Sequence, residues 1–330
     1  MRTPETGPAA RGDNRVMLLG PHEVDLFEDA RARLEAIAYR LLGSANDAED
    51  AVQDTFLRWQ AADREQVRTP EAWLTRVLTN LCLNHLTSAR ARRETYIGQW
   101  LPEPVLTGDR MLGPADTIEQ RESVSMAVLM LLERLSPHER AVYVLREAFG
   151  YSHAEIAEIV NLTEPNCQQI YRRAKQHLST GRSRTEVDRA TAHRIAAEFL
   201  AATAGGEIEP LVGMLTDDAT GIADGGGVLP ARRTSIGGAL AVARYLRGLF
   251  RPTEHKRGWV GGSPALYAGV VNGDPAILAQ VDDRLVGVIM LESTPDGITA
   301  VHIHANPGKL DRLSRAWAVA EHNEPLLEAW

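Results

Sequence analysis

Residues 152–178, "SHAEIAEIVNLTEPNCQQIYRRAKQHL", leave the chain least freedom in what it can fold into. Ser152 and Glu155 have the spacing of a capping box, in which each residue's side chain satisfies the other's backbone N–H at a helix start. An apolar period then runs to about Val160, "NLT" makes a tight connection, and Pro165 suits the first turn of a second helix capped by Thr163. On that second helix Cys167, Ile170, Tyr171, Ala174 and Leu178 share one face, which is predicted core. Asn166, Gln169, Arg173 and Gln176 point the other way, flanked by Gln168, Arg172 and Lys175. Amides bond adenine edges, and arginines bond guanine edges or phosphates, so the pattern predicts a helix-turn-helix that reads a DNA major groove. The alternative is a helical hairpin whose polar face is merely solvated.

A net charge of −8 argues against diffuse nucleic-acid binding, but the cations are not spread evenly. Arg90, Arg92 and Arg93 cluster in "SARARRE", and Arg172, Arg173, Lys175, Arg182 and Arg184 in "YRRAKQHLSTGRSR". Two basic patches in an acidic chain suggest directed contact with phosphate; two helix C-termini with ordinary cations are the alternative. The start, "MRTPETGPAARGDNR", lacks the apolar stretch of a signal peptide and reads as a flexible tail over 1–20. No apolar run approaches the ~18 residues of a membrane span, so no membrane partner is expected. Cys82 and Cys167 have no metal-type spacing. A reduced, cytoplasmic setting without metal or cofactor is the expectation.

Helical periods fill residues 21–95. Leu34, Ile37, Ala38 and Leu41 stripe one helix; Val52, Phe56 and Trp59 stripe another, which opens with four carboxylates. A third starts at Thr69-Pro70, with Trp73, Val77, Leu78 and Leu81 as its apolar stripe. Residues 96–120 hold three prolines and three glycines and no period, which makes them a linker. Within it "YIGQWLPEP" displays Trp100 and Leu101 on an extended strip, because Pro102 and Pro104 bias the residues before them away from helix. Helices resume over 121–178. After Arg184 the composition shifts: helices at 187–203 and 235–250 precede strands near 256–261, 265–272, 276–282, 285–292 and 297–304, separated by the turn signals "NGDP", "DDR" and "TPDG". Helices followed by hairpin-linked strands make an α+β domain over 185–312, leaving a tail at 313–330.

At this point the residues resemble a known family. "LERLSPHERAVYVLREAFGYSHAEIAEIVNLTEPNCQQIYRRAKQHL" resembles region 4 of a bacterial sigma factor. "GSANDAEDAVQDTFLRW" with "TPEAWLTRVLTNLCLNHLTSARARRE" resembles region 2 of the extracytoplasmic-function type. The resemblance implies two all-α domains, region 2 over 21–95 and region 4 over 121–184, working with core RNA polymerase at promoter DNA. By resemblance "ADREQVRTP" holds an extruded base, Asn80, Asn84, His85 and Ser88 line the single strand, and Arg90, Arg92 and Arg93 hold phosphates. Asp47, Glu49, Asp50 and Asp54 match the part of region 2 that grips the polymerase clamp helices; ordinary helix N-terminal charge is the other reading.

The third domain resembles a SnoaL-like cone of the nuclear-transport-factor type, on element order and the "ATGIADGGG" segment. Some relatives of that fold are enzymes, and Asp224, His302 and His304 are the acid–base candidates; an enzyme or small-molecule sensor fused to a DNA-binding module is the competing function. An unidentified small-molecule ligand in the C-terminal pocket is the partner class this leaves open. "WLPEP", "DGGG" and "NPGKL" together resemble the sigma-factor subgroup whose fused extension regulates in cis. The expectation is a non-enzymatic factor in which Trp100, Leu101 and Pro102 dock beside Asp224, Gly225, Gly226, Gly227, Asn306 and Pro307. "NPGKL" stands where the subgroup leads one to expect "NPDKL", and no basic residue follows the glycines.

Overall fold

The computed structural model describes residues 20–94, 96–113, 123–178, 188–204, 207–251 and 253–328. The amino-terminal tail and the cluster at Arg182 and Arg184 lie outside these residues, as do the side chains of Arg90, Arg92 and Arg93.

Helices α1 (Pro21–Leu42), α2 (Ala45–Ala61) and α3 (Pro70–Glu94) form the first unit. Gly43 ends α1 at φ +64°, a left-handed position that favours glycine, and Ser44 caps α2 by accepting from Asp47 N. Leu34, Ile37, Leu41, Val52 and Trp59 are buried as their spacing predicts. On α3 the buried stripe is Leu74, Leu78 and Cys82, whereas Trp73, Val77 and Leu81 are half-buried; the expected stripe was rotated by about one residue.

Helices α4 (Met126–Leu132), α5 (Pro137–Glu147), α6 (His153–Val160) and α7 (Glu164–Leu178) form the second unit. Both α5 and α6 open with full capping boxes, Ser136/Glu139 and Ser152/Glu155, and Asn161 ends α6 in the left-handed region. The two helical units share one apolar cluster running from Phe27 and Leu78 to Leu145, Ile156 and Ile170. Arg140 fastens them: its guanidinium donates to Leu132 O and Leu41 O and pairs with Glu133 at 2.7 Å.

The third unit has α8 (Arg189–Ala204), α9 (Glu209–Met214), β1 (Leu215–Asp224), β2 (Ile236–Gly237), α10 (Ala239–Phe250), α11 (Glu254–Val260), β3 (Ala265–Val271), β4 (Asp274–Val281), β5 (Arg284–Thr294), β6 (Gly297–His304), α12 (Pro307–Val319) and β7 (Leu327–Glu328). Its sheet runs β2-β1-β6-β5-β4-β3-β7, antiparallel except for the β1/β6 pair. Alternation along the strands divides two cores. Ile277, Ile289, Leu291, Val301 and Ile303 face α8 and α10. Leu278, Val288 and Met290 face α12, with Leu310, Leu313 and Trp317.

Two expectations differ here. Residues 254–260 are helix, not strand: Thr253 caps them, and Lys256 reaches back to the α10 carbonyls of Leu249 and Arg251. Part of the expected tail at 313–330 is structured: residues 313–319 continue α12, and Leu327–Glu328 pair with β3. Among the described residues no helix is long and apolar enough to cross a membrane.

Candidate functional site

The linker "YIGQWLPEP" is held from both sides. Asp224 ends β1 and is 1% exposed, its carboxylate surrounded by donors. Oδ1 accepts from Tyr96 Oη at 2.6 Å and Gly226 N at 3.0 Å; Oδ2 accepts from Leu101 N at 3.0 Å and Lys309 Nζ at 2.7 Å. Lys309, in the first turn of α12, also donates to Leu101 O at 2.5 Å. Its ammonium lies 4.2 Å from the Trp100 ring centroid and 5.0 Å from that of Tyr96. Asn306 caps α12 by accepting from Gly308 N and donates to Tyr96 Oη at 2.8 Å. Burial, then the Asp224 carboxylate, push the Tyr96 hydroxyl's pKa up, so it stays a donor.

The glycines act by closeness. Gly226 sits at φ +62°, and a Cβ there would fall 2.5 Å from Asn306 Cγ. Leu101 is fully buried and Trp100 half-buried; an apolar side chain of Leu101's size contributes ~1.5–3 kcal/mol on full burial.

The next residues fasten the linker to the first unit. Glu103 is 6% exposed and accepts from Ser44 Oγ (2.9 Å), Ala45 N (2.7 Å) and Asn46 N (3.1 Å), placing its carboxylate at the start of α2. Tyr39 Oη donates to Glu103 O, and Glu103 N donates to Gly43 O. Asn272, at the tip of the β3/β4 hairpin with φ +51°, is fully buried. Its Oδ1 accepts from Val105 N, and its Nδ2 donates to Tyr39 Oη and Val124 O, each within 2.9 Å. Sequence reading missed Glu103, Lys309 and Asn272. The "WLPEP" run stands out for its apolar pair, and "NGDP" signals only a turn.

Arg312, one turn further along α12, bonds Glu49 Oε1 at 2.8 Å and Asp109 through two nitrogens at 2.8 and 3.2 Å. Asp47, Glu49, Asp50 and Asp54 all lie on α2; Glu49, Asp50 and Asp54 are exposed, and Asp47 is 3.6 Å from His85 Nε2.

Asn84 and Ser88 are exposed on α3 and His85 is half-buried. Asn80, expected to be free on that face, instead donates to Ile159 O of α6 at 3.0 Å, and its neighbour Arg76 donates to Asn161 Oδ1 at 2.6 Å. The second unit therefore rests on part of the surface that the sequence led one to expect would face the single strand. On α7, Cys167, Ile170 and Ala174 are buried, whereas Asn166, Gln169, Arg172, Arg173 and Lys175 are exposed and Gln168 is half-buried.

His302 and His304 do share a face of β6, but at 3% and 1% exposure they lie inside, alongside Asp224 on the face opposite Ile303. Among the described residues no group of three or more His, Cys, Asp or Glu is disposed to hold a metal ion.

Residues 26–92 match the family model for Sigma-70 region 2, and residues 125–178 that for Sigma-70, region 4. The chain is 37% identical over 228 residues to the ECF RNA polymerase sigma factor SigJ of Mycobacterium tuberculosis, covering 69% of this chain and 73% of the other. It is 32% identical over 285 residues to the probable ECF RNA polymerase sigma factor SigI of the same organism, covering 86% and 93%. The fold superposes on the crystal structure of the M. tuberculosis extracytoplasmic function sigma factor SigJ with a TM-score of 0.67 at 30% identity, over 87% of this chain and 97% of that one. With both helical regions in order and relatives matched along most of their length, this chain belongs to the extracytoplasmic-function RNA polymerase sigma factors.

Proposed function

We propose that the chain is a non-enzymatic initiation factor that binds core RNA polymerase and directs it to particular promoters, regulated in cis by its own third domain. It acts where polymerase does, in the cytoplasm. Region 4 reads duplex promoter through Asn166, Gln168, Gln169, Arg172, Arg173 and Lys175. Region 2 engages the opened strand through Asn80, Asn84, His85 and Ser88, with Arg90, Arg92 and Arg93 on phosphates, and polymerase through Asp47, Glu49, Asp50 and Asp54. The third domain also offers an apolar cavity to a small molecule.

The observation that carries the regulatory part is the linker, bound at Asp224 and Lys309 on one side and by Ser44, Ala45 and Asn46 on the other. Because residues 96–113 join the two DNA-reading regions, holding them fixes the separation of those regions. Region 4 resting on Asn80 and Arg312 bonding Glu49 describe the same closed arrangement. A polymerase-bound factor must present both regions, so partner binding and the closed arrangement compete.

Run-off transcription with purified core polymerase and the full chain, on a library of promoter fragments, tests this. Promoter-dependent transcripts that appear only with the chain are expected. Their absence, with core polymerase bound or not, would overturn the reading.

A further inference from the structure

Behind the linker-binding loops, between the sheet and α10–α11, the third domain holds a cavity of about 150 Å³ that opens to solvent. Phe250, Leu266, Ile277 and Ile289 line it, and Trp259, 42% exposed, stands among the lining side chains. Only Lys256 and His304 among the lining residues carry ionisable side chains. The His304 ring belongs to the opposite face of the sheet, with Asp224. Lys256 Nζ is committed: its donors go to the carbonyls of Gly248, Leu249 and Arg251 at the end of α10. An ammonium has three donors and no more, so none is left for a ligand carboxylate or phosphate. A site of this size lined by apolar side chains favours an uncharged guest, as cavities of ~150 Å³ lined by Leu, Ile and Phe hold benzene.

Two walls of this cavity are the reverse sides of the linker-binding loops. Leu229 and Pro230 line it directly after the Gly225–227 turn, and Gly225 O accepts from both Val228 N and Leu229 N. On the other side Ile303 and Ala305 line it immediately before Asn306, with Ala305 N bonded to Asp224 O. Asn306 and Asp224, which bond Tyr96 on one surface, are thus one and five positions from Ala305 and Leu229, which touch the cavity on the other.

We propose that this cavity is an effector site for a small, uncharged, apolar molecule whose occupancy stabilises the docked linker, an inference that rests on the docked-linker reading above. A guest packed against Leu229, Pro230 and Ala305 holds the loops in the arrangement that Tyr96 and Leu101 bind. By reciprocity the docked linker holds the cavity walls in place and tightens the guest's binding by the same factor.

The test uses the full chain with toluene as the apolar probe and benzoate as its charged counterpart. Amide exchange across residues 96–105 is read first without probe. Free exchange there would overturn the docked-linker reading itself, and the coupling with it, before any probe is added. Saturation-transfer NMR then reports binding; toluene is expected to bind at least tenfold more tightly than benzoate. At saturating toluene the exchange of the linker amides is expected to slow at least threefold. Ala279→Phe fills the cavity from β4 and should abolish both effects, with Leu266→Phe as the second filling variant should the first fail to fold. Absence of toluene binding, equal binding of benzoate, binding that persists in a folded filled variant, or binding without slowed linker exchange would each overturn the proposal.

Discussion

Replacing Lys309 with methionine keeps most of the stem and removes the charge. Asp224 and Lys309 both belong to the third domain, so their mutual pairing exists whether or not the linker is docked. Docking adds the bond from Lys309 Nζ to Leu101 O, the Trp100 and Tyr96 rings against the ammonium, and the donors of Tyr96 and Leu101 to Asp224. A hydrogen bond from a charged donor is worth ~1.5–3 kcal/mol, and a cation–π contact ~0.5–2 kcal/mol when desolvated. Lys309→Met removes both from the docked state and leaves Asp224 facing a buried site without its cation. Together these weaken docking by about 2–4 kcal/mol, which is roughly 30- to 1,000-fold at ~1.4 kcal/mol per factor of ten. Amide exchange across residues 96–105 of the full chain reads this directly. The β4/β5 ladder, distant in the sheet, serves as an internal control for global unfolding. Wild-type protection of the linker in a folded Lys309→Met variant would refute the reading that Lys309 holds the docked linker.

Arg312→Ala releases Glu49 and Asp109, and the expected outcome is tighter association with core polymerase, by about two- to fivefold, since the pair with exposed Glu49 is worth ~0–1 kcal/mol; fluorescence anisotropy against core enzyme checks it. His304 supplies a pH dependence. Burial first, then the charges of His302 and Lys309, hold its pKa well below the ordinary 6.5, so the folded protein keeps it neutral while the unfolded chain takes a proton. That group's contribution is fully present above about pH 6.5 and falls as pH drops below it, by up to ~1.4 kcal/mol per pH unit. His304→Leu should flatten the drop in Tm between pH 7 and pH 5 relative to wild type, and parallel profiles would be the contrary result. Asn80→Ala with Asn84→Ala should lower open-complex formation on duplex templates and be rescued on a pre-melted one, even though losing the bond to Ile159 O also loosens region 4. Arg172→Ala and Arg173→Ala should each weaken promoter binding about 10- to 100-fold if they reach a guanine edge, by electrophoretic mobility shift.

What the sequence disclosed was whatever local chemistry encodes. Ser152/Glu155, Asn161 and the period of Cys167, Ile170 and Ala174 specify the helix-turn-helix because caps and burial faces are set within one or two turns. Segments whose conformation is decided at a distance were harder. "HKRGWV" carries β-prone residues, and what turns it into α11 is a lysine reaching carbonyls of the preceding helix. The α3 stripe shifted because that helix is buried against four partners, α1, α2, α5 and α6, and a single-face pattern averages over them. Trp100 and Leu101 could be singled out as needing cover, and the glycine run as able to give it. Nothing local announces that Glu103 caps a helix 58 residues upstream, or that Asn272 bonds Tyr39 across 233 positions. Such contacts pair one donor with one acceptor and leave no period to read.

The closed arrangement has contacts of very different strength, and this decides where it opens. Arg312–Glu49 and Arg76–Asn161 are exposed, with water as a ready substitute partner, and polymerase or DNA displaces them at small cost. Asp224 and Lys309 are buried, and leaving a buried polar group unsatisfied costs ~1–3 kcal/mol, more for a charge. The linker's carboxylate at Glu103 is buried too, but its partners are the start of α2, which stays with region 2 when the third domain leaves. Parting at Asp224 therefore keeps residues 103–105 on region 2 while freeing residues 96–101, the part that follows the end of α3 in the chain. For the third domain to leave, Asn272 must also withdraw from Val105, Tyr39 and Val124, since all of its side-chain bonds cross that boundary. A signal that loosens the Asp224–Lys309 contact alone thus leaves the third domain attached through its hairpin. Full release requires both contacts to break, which makes the linker's freedom and the third domain's departure two separable steps.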